Sequence, residues 1–157
     1  MANTQAFCNS AKRELMNGEH QFGSPTLVSR TSLTAPTPDT FKGALYFASA
    51  TYNKSTTAYN ATGEVANSGS YVAGGLAFTF GTVPTLTNDT AHVTPSASWT
   101  TGAAFSAAAF DTILMYNSTQ SNKAFAVFTF GSQTIVSGTF TLTMPTNNDT
   151  TGLIRIA

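Results

Sequence analysis

The chain has 157 residues, of which 41% are hydrophobic and only 9% charged, with seven basic and seven acidic side chains. One domain of that size buries roughly 70% of its unfolded surface, so it can build a core without disulfides or metal, and it is too apolar to be disordered. Lys12, Arg13, Arg30, Lys42, Lys54, Lys123 and Arg155 are scattered along the chain, so no basic patch forms and a nucleic-acid partner is not expected.

The opening, "MANTQAFCNSAKRELMNGEH", has no basic region followed by an apolar core, so no secretion leader is expected. It predicts one short helix over residues 4–17. Phe7, Cys8, Ala11 and Leu15 recur at helical spacing, Thr4 stands at its start, and Asn17 and Gly18 supply a left-handed stop. Residues 23–40, "GSPTLVSRTSLTAPTPDT", carry three prolines among Ser and Thr. They read as a linker or an extended arm, with "TLVS" able to pair as a short strand.

From residue 41 the pattern is β. "TFKGALYFASATY" has apolar residues on both faces and predicts a central strand buried on two sides. Residues 53–69 are polar and read as a loop. Leu76, Phe78 and Phe80 share a face, and Gly74 with Gly75 predicts a bend or bulge before them. "PTLTNDTAHVTPSASWT" predicts two short strands around an Asn-Asp turn. "GAAFSAAAF" fits a helical turn or a tight loop between sheets. "FDTILMYNS" and "NKAFAVFTFGS" predict a hairpin turning at "STQSN". A Gly-Ser turn at Gly131 and Ser132 would then separate "QTIVSGTFTLTMP", where Phe140, Leu142 and Met144 alternate with Thr139, Thr141 and Thr143. "GLIRIA" predicts a closing strand with Ile154 and Ile156 facing inward, so that removing residues 152–157 costs stability. Short strands separated by turns, without crossover helices, indicate an all-β antiparallel sandwich as one domain: helix 4–17, arm 23–40, sandwich 41–157.

The chemistry-bearing residues are few. The seven carboxylates are dispersed, Glu14 and Glu19 being neighbours at the end of a surface helix. His20 and His92 read as surface or capping residues, and no Gly-X-Ser-X-Gly elbow is present. Two isolated histidines and the single Cys8 make no zinc set; Cys8 reads as a small buried apolar residue. "TNDT" at 87–90 and "NNDT" at 147–150 offer one carboxylate each, which Asx-turns explain as well as calcium does. Tyr46, Tyr52, Tyr59, Tyr71, Trp99 and Tyr116 could stack on sugars, although aromatic residues in a sandwich mostly fill its core. Neither an enzyme nor a resident cofactor or metal is expected. No apolar run reaches membrane-spanning length, so no membrane partner is expected.

Several segments, in order, carry a resemblance. "GEVANSGSYVAGGLAF", the Trp segment "SASWTTGAAFSAAAFDTILMYNST", and the closing "NKAFAVFTFGSQTIVSGTFTLTMPTNNDTTGLIRIA" resemble small structural proteins of tailed bacteriophages. "AKRELMNGEHQF" followed by "DTFKGALYFASATYN" fits the same order, whereas residues 23–40 are richer in Pro and Thr than the pattern. The resemblance implies a non-catalytic virion component with a jelly-roll-like sandwich. It further implies a cement or decoration role on the capsid surface, contacts with the major capsid protein, and self-association as a dimer or trimer. Such a protein would be made in the host bacterial cytoplasm. A neck, tail or fibre module binding carbohydrate or a receptor is the alternative. The expected partner-binding residues are those of the arm: Pro25, Leu27, Arg30, Pro36 and Pro38, lying on a neighbour.

Overall fold

Residues 3–23 and 37–157 are described in the computed structural model of the protein. The chain begins with a strand where a helix was expected. Ala6–Phe7 (β1) pairs antiparallel with Val127 and Ala126, the Thr4 N–H donates to the Tyr52 carbonyl at 2.9 Å, and the Cys8 N–H to that of Phe125 at 3.0 Å. Those backbone bonds to distant segments take residues 4–8 out of the helix. Helix α1 therefore spans Asn9–Met16, with Cys8 rather than Thr4 at its N-cap and no side-chain cap bond. Its end matches the expectation. Gly18 adopts φ +70°, its N–H donates to the Leu15 carbonyl at 3.1 Å, and the Glu19 N–H donates to that of Glu14 at 2.9 Å. This is a Schellman motif, which a glycine just past the helix end makes favourable.

Strand β2, Phe41–Phe47, follows, then Leu76–Phe78 (β3), Thr85–Thr87 (β4), Thr90–Val93 (β5) and Trp99–Thr100 (β6). The long strands Phe105–Asn117 (β7) and Lys123–Gly138 (β8) come next, and Thr141–Leu142 (β9) and Ile154–Ile156 (β10) complete the set. The described residues form antiparallel sheets of five, three and two strands, ordered β1-β8-β7-β2-β3, β10-β5-β4 and β6-β9. β2 lies between β7 and β3 and is buried on both faces over most of its length, as its two apolar faces predict. Asn88 and Asp89 both take positive φ between β4 and β5. That is the geometry a two-residue I′ hairpin turn demands, and Asn and Asp tolerate it best among non-glycine residues.

Two expectations fail in the hairpin. Residues 105–109 are neither a helical turn nor a loop but the start of β7, kinked at Ala109, which has φ +53° and whose carbonyl accepts the Ala48 N–H at 2.7 Å. Gly131 and Ser132 do not turn the chain either. β8 runs through them because Phe130, Gly131 and Ser132 together stand opposite Asp111 alone, between the pairs Phe110–Gln133 and Thr112–Thr129. A bulge absorbs residues that local composition assigns to a turn. The chain keeps its direction past Ser137 (φ +50°), with Gly138 opposite Phe105 and Thr141 opposite Thr100.

All three sheets contribute to one apolar core: Phe41, Leu45, Phe110, Ile113 and Phe125 from the first, Val93 from the second and Trp99 from the third. Phe22 stacks on Phe41 with ring centroids 4.7 Å apart, and both meet Phe125 edge-on. Phe140, Leu142 and Met144 are half-buried against this core, while Thr139, Thr141 and Thr143 are exposed; that alternation was read correctly. The closing strand was read less well. Ile154 is half-buried, but Ile156 is 57% exposed. β10 still pairs with β5 at three positions, and the Leu153 N–H donates to Thr94 Oγ1 at 2.9 Å. Deleting residues 153–157 is expected to lower the unfolding free energy by about 2 kcal/mol through lost ladder bonds and Ile154 burial. Urea denaturation of the truncated chain checks this; an unchanged midpoint would show that β10 is dispensable. Among the described residues no helix is long and apolar enough to cross a membrane.

Candidate functional site

Of the arm residues expected to bind a partner, Pro25, Leu27, Arg30 and Pro36 lie outside the described residues, as does "TLVS". Pro38 is described and exposed. Beside it the base of this segment is clasped: the Gln21 N–H donates to Asp39 Oδ2 at 2.9 Å, and the Asp39 N–H to the Gln21 carbonyl at 3.1 Å. Residues 21 and 39 are thus held side by side.

That clasp belongs to an interior polar network that sequence reasoning missed. His20, expected at the surface, is 7% exposed, and Glu14, expected on a surface helix, 3%. The Schellman turn folds His20 back under α1, where Nε2 meets Glu14 Oε2 at 3.0 Å. Nδ1 faces Asn117 Nδ2 at 3.0 Å. The Asn117 Oδ1 already accepts the Thr119 and Gln120 N–H groups, both at 3.1 Å, so its amide nitrogen must be the donor, shared between His20 and Asp39 Oδ2 (2.7 Å). His20 is therefore the neutral tautomer protonated on Nε2. Burial is the main cause holding its pKa below the ordinary histidine value, opposed by the hydrogen bond and charge of Glu14 and by Asp39, and aided by Lys123. Lys123 pairs with Glu19 and lies 4.0 Å from Glu14. Among the described residues the bonds to His20 come from Glu14 and Asn117, neither of them a nucleophile. Cys8 is fully buried, and burial, with the Glu14 charge, pushes its thiol up to about 11. At that value it is protonated and inert at neutral pH.

A second network centres on Glu64. Its carboxylate accepts Tyr59 Oη, Tyr71 Oη and the Gly74 N–H, each at 2.7 Å. Tyr71 Oη also accepts the Leu45 N–H at 2.9 Å, and Tyr116 Oη donates to the Gly74 carbonyl. Burial first, then the neighbouring carboxylate, raises the Tyr59 phenol and contributes to raising that of Tyr71. Both phenols therefore stay protonated as donors. The network pins the irregular segment 59–75 onto β2. It also answers what the aromatics do: Tyr46, Tyr52, Tyr71, Trp99 and Tyr116 are buried, and Tyr59 stacks on Tyr116 at 4.8 Å.

His92, expected at the surface, is also buried, bonding Asn147 Oδ1 at 3.0 Å beneath β4. Its fold neighbours bring the two Asn-Asp stretches together through Asn88 Nδ2 and Asp149 Oδ2, 2.7 Å apart. Asn148 Oδ1 accepts the Thr150 and Thr151 N–H groups at 3.0 and 2.6 Å, the Asx-turn pattern. Among the described residues no three His, Cys, Asp or Glu side chains converge on a possible metal position.

What remains is surface. β1 covers β8 only at Ala126 and Val127, so residues 128–138 of β8 have no second strand partner among the described residues. That stretch, "FTFGSQTIVSG", holds no charge, and Val136 within it is 82% exposed. A polar groove of about 570 Å³ opens between Ser49 and Gly63, beside Thr56, Asn60 and Thr62. No protein-family model, curated protein or solved structure matches the chain.

Proposed function

We propose that this chain is a structural component of a tailed-bacteriophage virion, acting as a cement or decoration protein on the capsid surface. In this reading it is a jelly-roll-like β-sandwich, self-associates as a dimer or trimer, and bridges subunits of the major capsid protein. It acts passively: many copies that bind only the assembled shell stabilise it by mass action. The observation that carries the reading is the open, uncharged outer edge of β8. Soluble proteins guard such edges with Lys, Pro, a bulge or a covering element; this one has the bulge at residues 130–132 but no charge, no Pro and no strand over it among the described residues, which leaves it suited to strand addition by a neighbour. The ordered resemblance across the chain supports it too, as does a surface poor in charge, which favours association over free solution. The polar groove between Ser49 and Gly63 favours a second reading, a neck, tail or fibre module that binds carbohydrate or a receptor.

Quantitative mass spectrometry of purified particles tests both. A copy number close to that of the major capsid protein is expected. A handful of copies per particle would transfer the chain to the neck, tail or fibre, and its absence from particles would overturn the virion role.

A further inference from the structure

The two ends of the described chain meet on one face and leave it unfinished. β1, α1 and β10 border three adjoining grooves that share side chains: Phe7 joins the first to the second, Leu15 and Ile156 the second to the third, and Ile154 the first to the third. The two larger measure about 300 and 370 Å³. Together they make one apolar band across the junction of the five- and three-stranded sheets. Met16, at its lip, is 91% exposed, and Ile156 57%. Met16, the last residue of α1, faces away from the core that Ala11 and Leu15 join.

The charges around this band have one sign. Among the residues bordering the three grooves only Lys12 and Arg155 carry a full charge. Neither is paired with a carboxylate among the described residues. Lys12 Nζ reaches Asn9 Oδ1 at 3.4 Å, and Arg155 Nη1 donates to the Asp149 backbone carbonyl at 3.2 Å. A protein with no net charge thus presents an apolar strip edged by two unpaired cations. A second copy is a poor fit, because a two-fold contact through the band would bring the same two cations together from both sides, and like charges across an interface disfavour it. A membrane is a poor fit too, since two cations attract an anionic surface only weakly.

We propose that the band is the docking site for a short apolar segment of another protein whose flanking side chains are carboxylates. Apolar anchors of the segment fill the grooves beside Phe7, Leu15 and Ile154, Met16 folds over them as an adaptable cover, and the carboxylates meet Lys12 and Arg155 at the rim, where they steer and orient rather than supply most of the affinity. The proposal concerns the surface and holds whether the partner is a capsid subunit or any other protein, so particle copy numbers do not decide it.

The test is selection of a random 12-residue peptide library on the immobilised full chain. Enriched peptides are expected to combine two or three large apolar residues with Asp or Glu at their flanks. Their affinity should fall at least tenfold for Met16→Ser/Ile156→Ser. Lys12→Glu/Arg155→Glu should reverse the choice and enrich Lys- and Arg-flanked peptides. All four positions are exposed on their polar or open side, and unchanged thermal melts confirm that the variants are folded. Enrichment of neutral or basic peptides by the unmodified chain, binding indifferent to either double variant, or no enrichment at all would overturn the proposal. Two further measurements would replace it: a dimer in sedimentation that Met16→Ser/Ile156→Ser dissociates would make a second copy the occupant, and co-sedimentation with phosphatidylcholine/phosphatidylglycerol vesicles lost in the same variant would make it a lipid surface.

Discussion

Gly75→Ala is expected to cost about 4 kcal/mol and to lower the melting temperature by about 10 °C or more, whereas Gly74→Ala costs about half as much. Both glycines have positive φ, +92° at Gly74 and +76° at Gly75, so both substitutions carry the conformational penalty of an L-residue there, roughly 1–3 kcal/mol. They differ in what a side chain would meet. A Cβ on Gly74 has nothing within 4 Å, while one on Gly75 would overlap the Gly43 carbonyl and lie 2.8 Å from the Ala44 nitrogen. That obstacle is backbone, and it cannot yield: Gly43 and Ala44 are laddered to Met115 and Leu114 on their other side. Set against a total stability of about 5–15 kcal/mol, the loss at Gly75 brings the fold close to its limit. Paired thermal melts decide the matter. Equal losses in the two variants would mean that β3 moves away from β2 without cost and that the close approach is not what the glycine serves.

Acidification from pH 7 to 5 is expected to destabilise the protein, and His20→Gln to remove most of that slope. His20 holds its proton less tightly in the fold than in the unfolded chain. Between the unfolded value near 6.5 and the lower folded value, the unfolded state binds more protons. The stabilising contribution is therefore complete above about pH 6.5 and is lost as pH falls through the folded value. The geometry gives the reason. Protonated Nδ1 would confront the Asn117 amide nitrogen at 3.0 Å, donor against donor, and the amide cannot rotate without surrendering the Thr119 and Gln120 N–H groups. The chosen window lies above the ordinary carboxylate range, which keeps acid effects on Asp and Glu out of the comparison. His20→Ala, by contrast, removes the buried hydrogen bond to the Glu14 carboxylate, leaving it only Lys123 at 4.0 Å, and should cost about 2 kcal/mol at pH 7. Urea titrations at pH 7, 6 and 5 measure all three proteins; an unmodified chain with a flat profile over that range would sink the account.

These two sites also mark where the amino-acid order is readable and where it is not. Local chemistry carried far. The Asn88 and Asp89 turn, the Gly18 helix stop, the hairpin around residues 118–122 and the Phe140-Leu142-Met144 alternation each rest on two to six consecutive residues, and each stands as read. The misses are non-local. Nothing near His20 announces Asn117, 97 positions away, so a histidine after a helix stop looked like a surface residue. Gly131 and Ser132 have turn chemistry, but the long β7 ladder overrides it with a bulge. Residues 4–8 have helical spacing, yet β8 takes Ala6–Phe7 as an edge strand and the Cys8 N–H, and Tyr52 takes the Thr4 N–H. Ile156 has the parity of a buried residue, yet parity says only which face, not whether anything lies opposite it. The candidate docking band was illegible for the same reason, being assembled from residues near 7–16 and 153–156. The arm was conspicuous by composition alone.

The β7–β8 hairpin carries a last consequence, for the order in which the chain finds its structure. Its two strands close across a loop of about five residues, a step of microseconds, whereas every other strand of the five-stranded sheet must be brought in over a longer stretch: β2 from some 70 residues upstream, β1 from 121, the separation of Ala6 and Val127. Closure entropy rises with that distance, and mean contact separation sets the pace. On these separations the hairpin is expected to form first and β1 to join last, and φ-values near zero for substitutions at Phe7 would check it. Residues 57 and 58 meet β8 at Lys123 and Ala124, and β1 adds only Ala126 and Val127, so the arrival of that strand leaves the stretch from residue 128 onward still without a second strand partner among the described residues.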